Sequence, residues 1–334
     1  MAHGAGGKAT RRLVDGLFVP LLYDGHAGSE SDRLSDAARV LVGHSDVAIT
    51  TDSFVVTPLA FPGGSIGELA VNGTVNDLAV SGARPVALVT TFVLEAGLPT
   101  ETLAAEVRAM GRAARNAGIT IVGGDTKVVE HGKTDRLYIT TTGIGHPMAG
   151  VSLSAGLVRP GDKVLLSGPI GDHGITILLA RGELDLEAEL ESDTRSVFPL
   201  VEGLVGAVAP GLRWMRDPTR GGVATSLNEL ALDSGLGIHL FEGAIPVRDE
   251  VRGACELLGL DPLHIANEGQ FLAVVAPDQA ERALAALHAT AGGEAAVLLG
   301  EVREEPAAAV LVTTPYGGSR IVDMLVGDPL PRIC

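Results

Sequence analysis

Glycine is unusually abundant in this chain, at 44 of 334 residues, against an average share of about 7%. The glycines fall in clusters rather than at every third position, which excludes a collagen-like repeat. Because glycine adopts backbone conformations that other residues avoid, such clusters predict tight loops where backbone comes close to a ligand. Aromatic residues contribute 3% and hydrophobic residues 46%, so the cores must consist mainly of Ala, Val, Leu and Ile.

The length predicts two domains, at about 150 residues each. We predict an α/β fold with mixed sheets and place the boundary near Gly150, because a new alternation of strands and helices starts at Pro160. The first domain then covers residues 1–150 and the second 151–316. Residues 317–334 carry Gly, Pro and Arg with little packing signal, and we expect a mobile tail there.

The charge balance excludes several classes of partner. A net charge of −16 disfavours binding to a nucleic-acid backbone, which needs stripes of Lys and Arg. No apolar run is long enough to cross a membrane, and the first residues lack the apolar core of a signal peptide. The two cysteines, Cys255 and Cys334, do not make a disulfide framework, so we expect a cytoplasmic protein.

A predicted helix carries the first candidate site. Ser65 and Glu68 have the spacing of a capping box, and the helix is expected to end near Ser81. Within it, residues 72–77 include Gly, Thr, Asn and Asp, all poor helix formers. The segment is either a frayed helix or a place where function outweighs stability, with Asn76 and Asp77 facing a polar ligand and Asp77 a candidate Mg²⁺ carboxylate.

Further candidates lie at the ends of predicted strands. The segment Gly123–Lys127 follows a short buried strand, residues 119–122, and is either a plain turn or a loop that offers amides, Thr126 and Lys127 to a phosphate and Asp125 to a metal. Its spacing is not that of a P-loop. Asp46 and Asp52 flank a strand near Val47, and with Asp77 and Asp125 they form a set of acids suited to Mg²⁺.

The second half offers weaker signals. Asp217–Gly222 precedes a helix and is either a simple helix start or an anion site. His173 is more typical of a capping or packing residue than of a catalyst. Glu268 is either a general base or an ordinary loop carboxylate. The sequence has no zinc-site spacing and no nucleophile elbow.

The last residue, Cys334, is an exposed nucleophile if the tail is mobile, although a terminal cysteine is often incidental. No prenylation signal is present, because such a signal needs the cysteine four residues from the end.

Taken together, the motifs resemble those of the hydrogenase maturation factors of the HypE family. That family belongs to the superfamily of aminoimidazole ribonucleotide synthetase, selenophosphate synthetase and thiamine monophosphate kinase. The terminal Pro331–Cys334 is specific to HypE-like proteins, whereas Asn72 and Gly123 depart from the residues that are common there. The matching segments are His3–Gly7, Thr51–Val56, Phe61–Gly64, Gly73–Ala79, Gly124–Val129, Leu166–Gly174, Arg216–Gly222, Ile265–Gly269 and Pro331–Cys334.

The resemblance implies an aminoimidazole ribonucleotide synthetase-like fold of two domains. The first would form a homodimer through its sheet, and the second would be an α/β sandwich. ATP would lie between the domains or near the dimer seam.

The resemblance also implies a reaction. A HypF-like carbamoyltransferase would load a carbamoyl group on Cys334, and this chain would dehydrate the S-carboxamide to an S-cyanate with ATP. The cyanide would pass to iron on a HypC–HypD-type complex, for [NiFe]-hydrogenase. On that basis Lys127 balances charge and Glu268 acts as base, while the nucleotide and Mg²⁺ are held by Asp46, Asp52, Asn76, Asp77, Gly124, Asp125 and Thr126, with the four aspartates as metal ligands.

Two alternatives remain open on the sequence. One is an ATP-dependent small-molecule synthetase or kinase of the same superfamily, which would not need Cys334. The other is a protein without enzymatic activity, whose tail serves as a docking or redox module.

Overall fold

A computed structural model describes residues 7–22, 36–182, 188–327, 330 and 332–334. The motif residues His3–Gly6 and Pro331 lie outside the described residues. The expected α/β class with mixed sheets is confirmed.

The first half of the described chain contains the following elements in order: α1 (Gly7–Leu13), α2 (Val19–Leu22), β1 (Ala38–Val42), β2 (Ser45–Phe54), β3 (Ala60–Phe61), β4 (Gly64–Ser65), α3 (Ile66–Val80), β5 (Ala83–Glu95), α4 (Thr100–Asn116), β6 (Thr120–Val129) and β7 (Leu137–Pro147). A π-helical turn, Val14–Phe18, joins α1 to α2. Five of these strands form one sheet in the order β1-β2-β7-β5-β6, in which β5 and β6 are parallel.

The second half supplies the second sheet. Its elements are β8 (Lys163–Leu166), α5 (Asp172–Ala180), α6 (Phe198–Val208), β9 (Leu212–Arg216), α7 (Gly222–Ser234), β10 (Gly237–Phe241), α8 (Asp249–Leu258), β11 (Leu272–Val275), α9 (Ala280–His288), β12 (Val297–Arg303), β13 (Val310–Thr313) and β14 (Ser319–Val322). The seven strands pair in the order β14-β13-β10-β12-β8-β11-β9.

Helix α3 is the centre of the molecule. It packs on β2, β5 and β7 of the first sheet and also on α4 and α6, and nearly all of its residues are buried. A helix enclosed on all sides is stabilised by packing rather than by propensity, so its Gly, Thr and Asn residues are tolerated. The helix is therefore continuous through residues 72–77, and it is not frayed there.

Three local expectations were wrong. Ser65 is the N-cap of α3, but its side chain makes no capping hydrogen bond, and Glu68 pairs with Arg112 instead. Residues 123–127 are not a loop after a buried strand, because β6 runs on through them and is mostly exposed. Residues 319–322, expected in the tail, form the edge strand β14 of the second sheet.

Candidate functional site

An acidic cavity of about 340 Å³ opens between the two sheets. Strand β2 and helix α3 supply one wall, and the end of β9 with the start of α7 supplies the other. Its lining consists almost entirely of charged residues and hydroxyls: Thr10, Asp36, Thr50, Thr51, Asp52, Asp77, Arg216, Asp217, Thr219, Arg220, Thr225, Ser226 and Glu229.

Three carboxylates in this cavity lie close enough to share one cation. Oxygen atoms of Asp36, Asp77 and Asp217 are all within 4.8 Å of one another. Burial raises the pKa of Asp36 to about 6 and, together with repulsion from neighbouring acids, raises the pKa of Asp77 and of Asp217 well above its usual range. Hard oxygen ligands that repel one another are the donor set that Mg²⁺ or Ca²⁺ neutralises.

Of the predicted metal ligands, the cavity brings together Asp77 and Asp52. Asp77 accepts a hydrogen bond from the Thr50 hydroxyl at 2.9 Å, and Asp52 lies 3.7 Å from the Arg220 guanidinium. The sequence reasoning did not choose Asp36 or Asp217 as ligands. The sequence predicts the segment Asp217–Gly222 to be either a simple helix start or an anion site, although the position of Asp217 directly after strand β9 is a usable signal for a metal ligand.

Cations and helix amides balance part of this charge. Arg216 contacts Asp36 and Glu229, each at 2.9 Å. Helix α7 starts at Gly222, just after the cavity residues Thr219 and Arg220. Free amides at a helix start attract phosphate, so the cavity places a group of carboxylates suited to a cation beside a helix start suited to an anion.

Glu268 is a buried carboxylate with one oxygen that lacks a protein partner. The residue is 3% exposed, and its Oε1 atom has no hydrogen-bond partner among the described residues. Burial, followed by the charges of Asp217, Asp193 and Asp52, raises its pKa well above the usual range. A carboxyl group of this kind is a candidate proton acceptor and donor near neutral pH.

Asn76 connects the two halves of the chain. Its Nδ2 atom donates to the carbonyl oxygens of Arg195 and Glu268, at 2.9 and 3.2 Å. Its Oδ1 atom accepts from the Val197 amide at 2.8 Å. The side chain thus fixes the backbone of Glu268, and its expected contact with a nucleotide stays a prediction.

Strand β6 carries the predicted site residues Asp125, Thr126 and Lys127. Asp125 lies on the face of the sheet opposite to Asp52 and Asp77. Asp125 aligns with Thr91 of β5, which aligns with Thr140 of β7. Thr140 hydrogen-bonds Ser53, whereas Asp52 belongs to the alternate set of residues that faces α3. Because directly opposed residues share a face, the sheet separates Asp125 from Asp52 and Asp77 within one chain.

Lys127 lies on the same outer face and contacts Asp125 at 2.5 Å. This contact lowers the pKa of the Asp125 carboxyl. The Thr126 amide donates to the same carboxylate at 2.8 Å. A Cβ atom at Gly124 would lie 1.9 Å from the Thr90 carbonyl oxygen, so this position excludes any side chain. Asp46 lies apart from both groups, in the exposed β1–β2 hairpin opposite Leu41.

The end of the chain is docked against the first domain. Cys334 is 7% exposed, and an oxygen of its main-chain carboxylate accepts a hydrogen bond from the Val55 amide at 3.1 Å. The Arg332 carbonyl accepts from the Thr57 amide at 3.4 Å. We call residues 332–334 with these partners the tail dock. The mobility expected of residues 317–334 stays a prediction.

Strand β2 lines the acidic cavity, and the residues that directly follow this strand bind the tail. Val55 follows that strand directly and lies three residues after Asp52, a distance of roughly 10 Å at the rise of a strand. The intervening Phe54 packs on α3, because a Cβ atom at Gly73 would lie 2.9 Å from its ring and 3.9 Å from the Glu268 Oε2 atom. Phe54 and Glu268 therefore lie on the same side of α3, next to the residue that binds the tail.

Comparisons with known proteins agree with this architecture. Residues 34–146 and 159–313 match the N-terminal and C-terminal domains of AIR synthase related proteins. The carbamoyl dehydratase HypE of Azotobacter vinelandii is 50% identical over 334 residues, which cover 100% of this chain and 96% of that protein.

Two solved structures are also similar. One is a HypE–HypF complex, with TM-score 0.86, 43% identity, and coverage of 94% of this chain and 99% of that one. Another is the hydrogenase maturation protein HypE in complex with ATP, with TM-score 0.83, 45% identity, and coverage of 99% and 98%. In the part of the chain that the structure describes, no helix has the length and hydropathy needed to cross a bilayer.

Proposed function

The chain belongs to the HypE family of carbamoyl dehydratases, and from this premise we propose that it dehydrates a carbamoyl group carried on its own Cys334. The product is an S-cyanate, the source of the cyanide ligand for iron in [NiFe]-hydrogenase maturation. The family includes a member solved with ATP, which supports ATP as the second substrate.

The reaction removes one water from a thiocarbamate amide. ATP supplies a phosphoryl group to the amide oxygen, so that phosphate rather than hydroxide leaves when the carbon–nitrogen triple bond forms. The amide nitrogen loses both of its protons in the process. Glu268 is the proposed proton acceptor, because its Oε1 atom is buried and has no hydrogen-bond partner within the described part of the chain.

The acidic cluster would hold Mg²⁺ through Asp36, Asp77 and Asp217, with Asp52 beside it. A cation there would also lower the pKa of Glu268, because Asp217 and Asp52 both contribute to its rise. The carboxylate form that accepts a proton would then be populated near neutral pH. Glu268 would then act as the base when Asp36, Asp77 and Asp217 hold a cation.

The observation that carries the proposal is the position of the tail dock directly after strand β2. The main-chain oxygen of Cys334 binds the Val55 amide, and Val55 lies roughly 10 Å along the chain from Asp52 at the rise of a strand. We propose that a loaded sulfur moves from this dock to a nucleotide in the cavity. Neither a small-molecule kinase nor a passive docking tail requires this proximity.

We propose that two copies of the chain complete the site. The outer face of the first sheet is exposed and carries apolar residues such as Val89, Val122 and Ile144 beside Asp125 and Lys127. Covering this face in a homodimer would bury the apolar groups. It would also bring Asp125, Thr126 and Lys127 toward the cavity of the second copy.

The proposed partners follow from the same scheme. A HypF-like carbamoyltransferase loads Cys334, and the HypE–HypF complex supports this step. A HypC–HypD-type iron scaffold would accept the cyanide. Since the thiol of Cys334 must stay reduced to accept a carbamoyl group, we propose a cytoplasmic location.

Weighing the C-terminal peptide tests the proposed reaction. S-carbamoylated protein incubated with Mg-ATP should lose the mass of one water from that peptide, and ADP and phosphate should appear in equal amounts. Omitting ATP should prevent the loss, and Cys334→Ala should show neither loading nor loss. An unchanged mass in the wild-type protein would refute the proposal.

Mixed dimers test the shared site. Asp77→Asn and Asp125→Asn should each lower dehydration by about 100-fold or more, since each removes a charge that positions the nucleotide. If the two residues act across the dimer, mixing the variants should restore about a quarter of wild-type activity, because half of random dimers are mixed and each has one intact site. Mixtures as inactive as the separate variants would contradict a shared site.

A further inference from the structure

The tail dock holds three consecutive main-chain oxygen acceptors. The Arg332 carbonyl binds the Thr57 amide and also the Arg181 guanidinium at 2.7 Å. A carboxylate oxygen of Cys334 binds the Val55 amide. Between them, the Ile333 carbonyl lies 2.6 Å from the Nε2 atom of His173. Among these partners, only His173 reaches the tail from a side chain with no solvent exposure.

A second residue determines the form of this imidazole. The Nδ1 atom of His173 lies 2.8 Å from the hydroxyl of Ser192. That hydroxyl already accepts a hydrogen bond from the Thr194 amide at 3.1 Å, so its own proton is available to Nδ1. The ring then accepts at Nδ1 and donates from Nε2–H to the Ile333 carbonyl, which has lone pairs and no proton to offer.

The surroundings keep the ring in this neutral form. Burial lowers the pKa of His173 to about 4. The ring of Phe61 packs edge-on at 5.7 Å between centroids and closes one side. At neutral pH, His173 is therefore a fixed, uncharged hydrogen-bond donor.

We infer that His173, oriented by Ser192, is a positioning residue that latches the tail at Ile333 so that Cys334 stays beside the acidic cavity during dehydration. The inference rests on the proposed function for its consequence in catalysis, although the latch itself concerns only the tail. It replaces the sequence-based view of His173 as a simple capping or packing residue. Releasing the latch exposes the thiol for loading, and closing it returns the loaded sulfur.

Two near-isosteric variants separate the latch from mere packing. The side-chain amide of His173→Gln carries an N–H where Nε2 stood, whereas that of His173→Asn places its N–H near Nδ1 and does not reach Ile333. With the full-length protein, iodoacetamide labelling of Cys334, followed by the mass of the C-terminal peptide, reports how often the tail opens. The single-turnover rate of the S-carbamoylated protein, with the KM for ATP, reports the effect on dehydration.

We expect His173→Asn to label Cys334 about tenfold faster and to dehydrate about tenfold more slowly, the size of effect that a buried hydrogen bond provides. The KM for ATP should stay within about twofold of the wild-type value, since the latch lies outside the nucleotide cavity. His173→Gln should stay within about threefold of wild type in both assays. Ser192→Ala frees the ring to adopt the other tautomer. Its labelling and dehydration rates should lie between those of His173→Asn and His173→Gln.

Labelling and dehydration at wild-type rates in His173→Asn would overturn the inference. So would a His173→Gln variant as impaired as His173→Asn, because then the N–H at the Nε2 position is irrelevant. If His173→Asn does not fold, Ser192→Ala decides: unchanged labelling refutes the latch and faster labelling supports it. If the wild-type protein forms no S-cyanate, the proposed reaction fails while the labelling rates still decide the latch.

Discussion

The acidic cavity and the tail dock are both polar and largely buried, but they balance their polar groups in opposite ways. In the cavity, Asp36, Asp77 and Asp217 crowd together and repel one another. In the tail dock, the main-chain oxygens of residues 332–334 each have a donor. Among the described residues, the carboxylates of the cavity therefore repel one another, whereas the main-chain oxygens of the tail are paired with hydrogen-bond donors.

The two regions consequently respond to acid with opposite signs. The carboxyl of Asp36 has a raised pKa of about 6, so the folded protein holds a proton there that the unfolded chain releases. The imidazole of His173 has a lowered pKa of about 4, so the unfolded chain takes up a proton that the folded protein refuses. Lowering the pH therefore increases the contribution of Asp36 to the free energy of unfolding and decreases the contribution of His173.

The largest effect on the cavity side is expected from Glu268→Gln. This change keeps the shape and removes the proton acceptor, so dehydration should fall by roughly 100-fold to 10,000-fold. The fold should persist, because an amide is easier to bury than a carboxyl group close to Asp217. Single-turnover formation of the S-cyanate measures the rate, with the exposed Glu256→Gln as the matched control. A Glu268→Gln variant that dehydrates at the native rate would remove Glu268 from the base role.

A smaller effect concerns the stability of the cavity. Without a divalent cation, the contribution of Asp36 to stability should fall as pH rises from about 4 to about 6, and the loss should persist above that range, by roughly 1–3 kcal/mol. Mg²⁺ should cancel this loss, so the rise in Tm on adding Mg²⁺ should be greater at pH 7.5 than at pH 5. Thermal unfolding with EDTA or Mg²⁺ measures the difference. The comparison at fixed pH removes the opposite contribution of His173, and an equal rise at both values would argue against a cation at this cluster.

The smallest effect is expected at the edge of the tail dock. Arg332 forms an exposed ion pair with Asp135, and such pairs contribute at most about 1 kcal/mol. Arg332→Gln should therefore change the labelling rate of Cys334 by less than about threefold, and added salt should reproduce part of the change. If Arg332→Gln changes the labelling rate of Cys334 as much as His173→Asn does, the exposed ion pair rather than His173 is the main interaction that holds the tail.

Elements with a strong local pattern could be predicted from the sequence. Helix α4, Thr100–Asn116, has such a pattern, because its apolar residues recur at helical spacing and Gly118 follows. Helix α3 begins after Ser65 and ends at Val80, in agreement with the end expected near Ser81. The function depended on recognising the family motifs, since charge and periodicity alone left three classes of protein open.

What the sequence left undetermined depends on contacts between distant segments. Asp36, Asp77 and Asp217 meet only after two sheets and α3 have packed, and no spacing along the chain encodes that. The sequence predicts a turn or loop at residues 123–127 because Gly and Asp are rare in strands, yet the parallel pairing of these residues with β5 keeps them extended as part of β6. The same pairing shows why Asp125 faces away from Asp77.

Because Asp52 and Val55 lie on one extended stretch of chain, the number of residues between them sets the spacing between the cavity and the tail dock. An extended chain advances by about 3.3 Å per residue and turns its side chains over at every step. Adding or deleting one residue between them would both shift the dock and turn it to the other face of the sheet. This stretch therefore tolerates changes of side chain far better than changes of length.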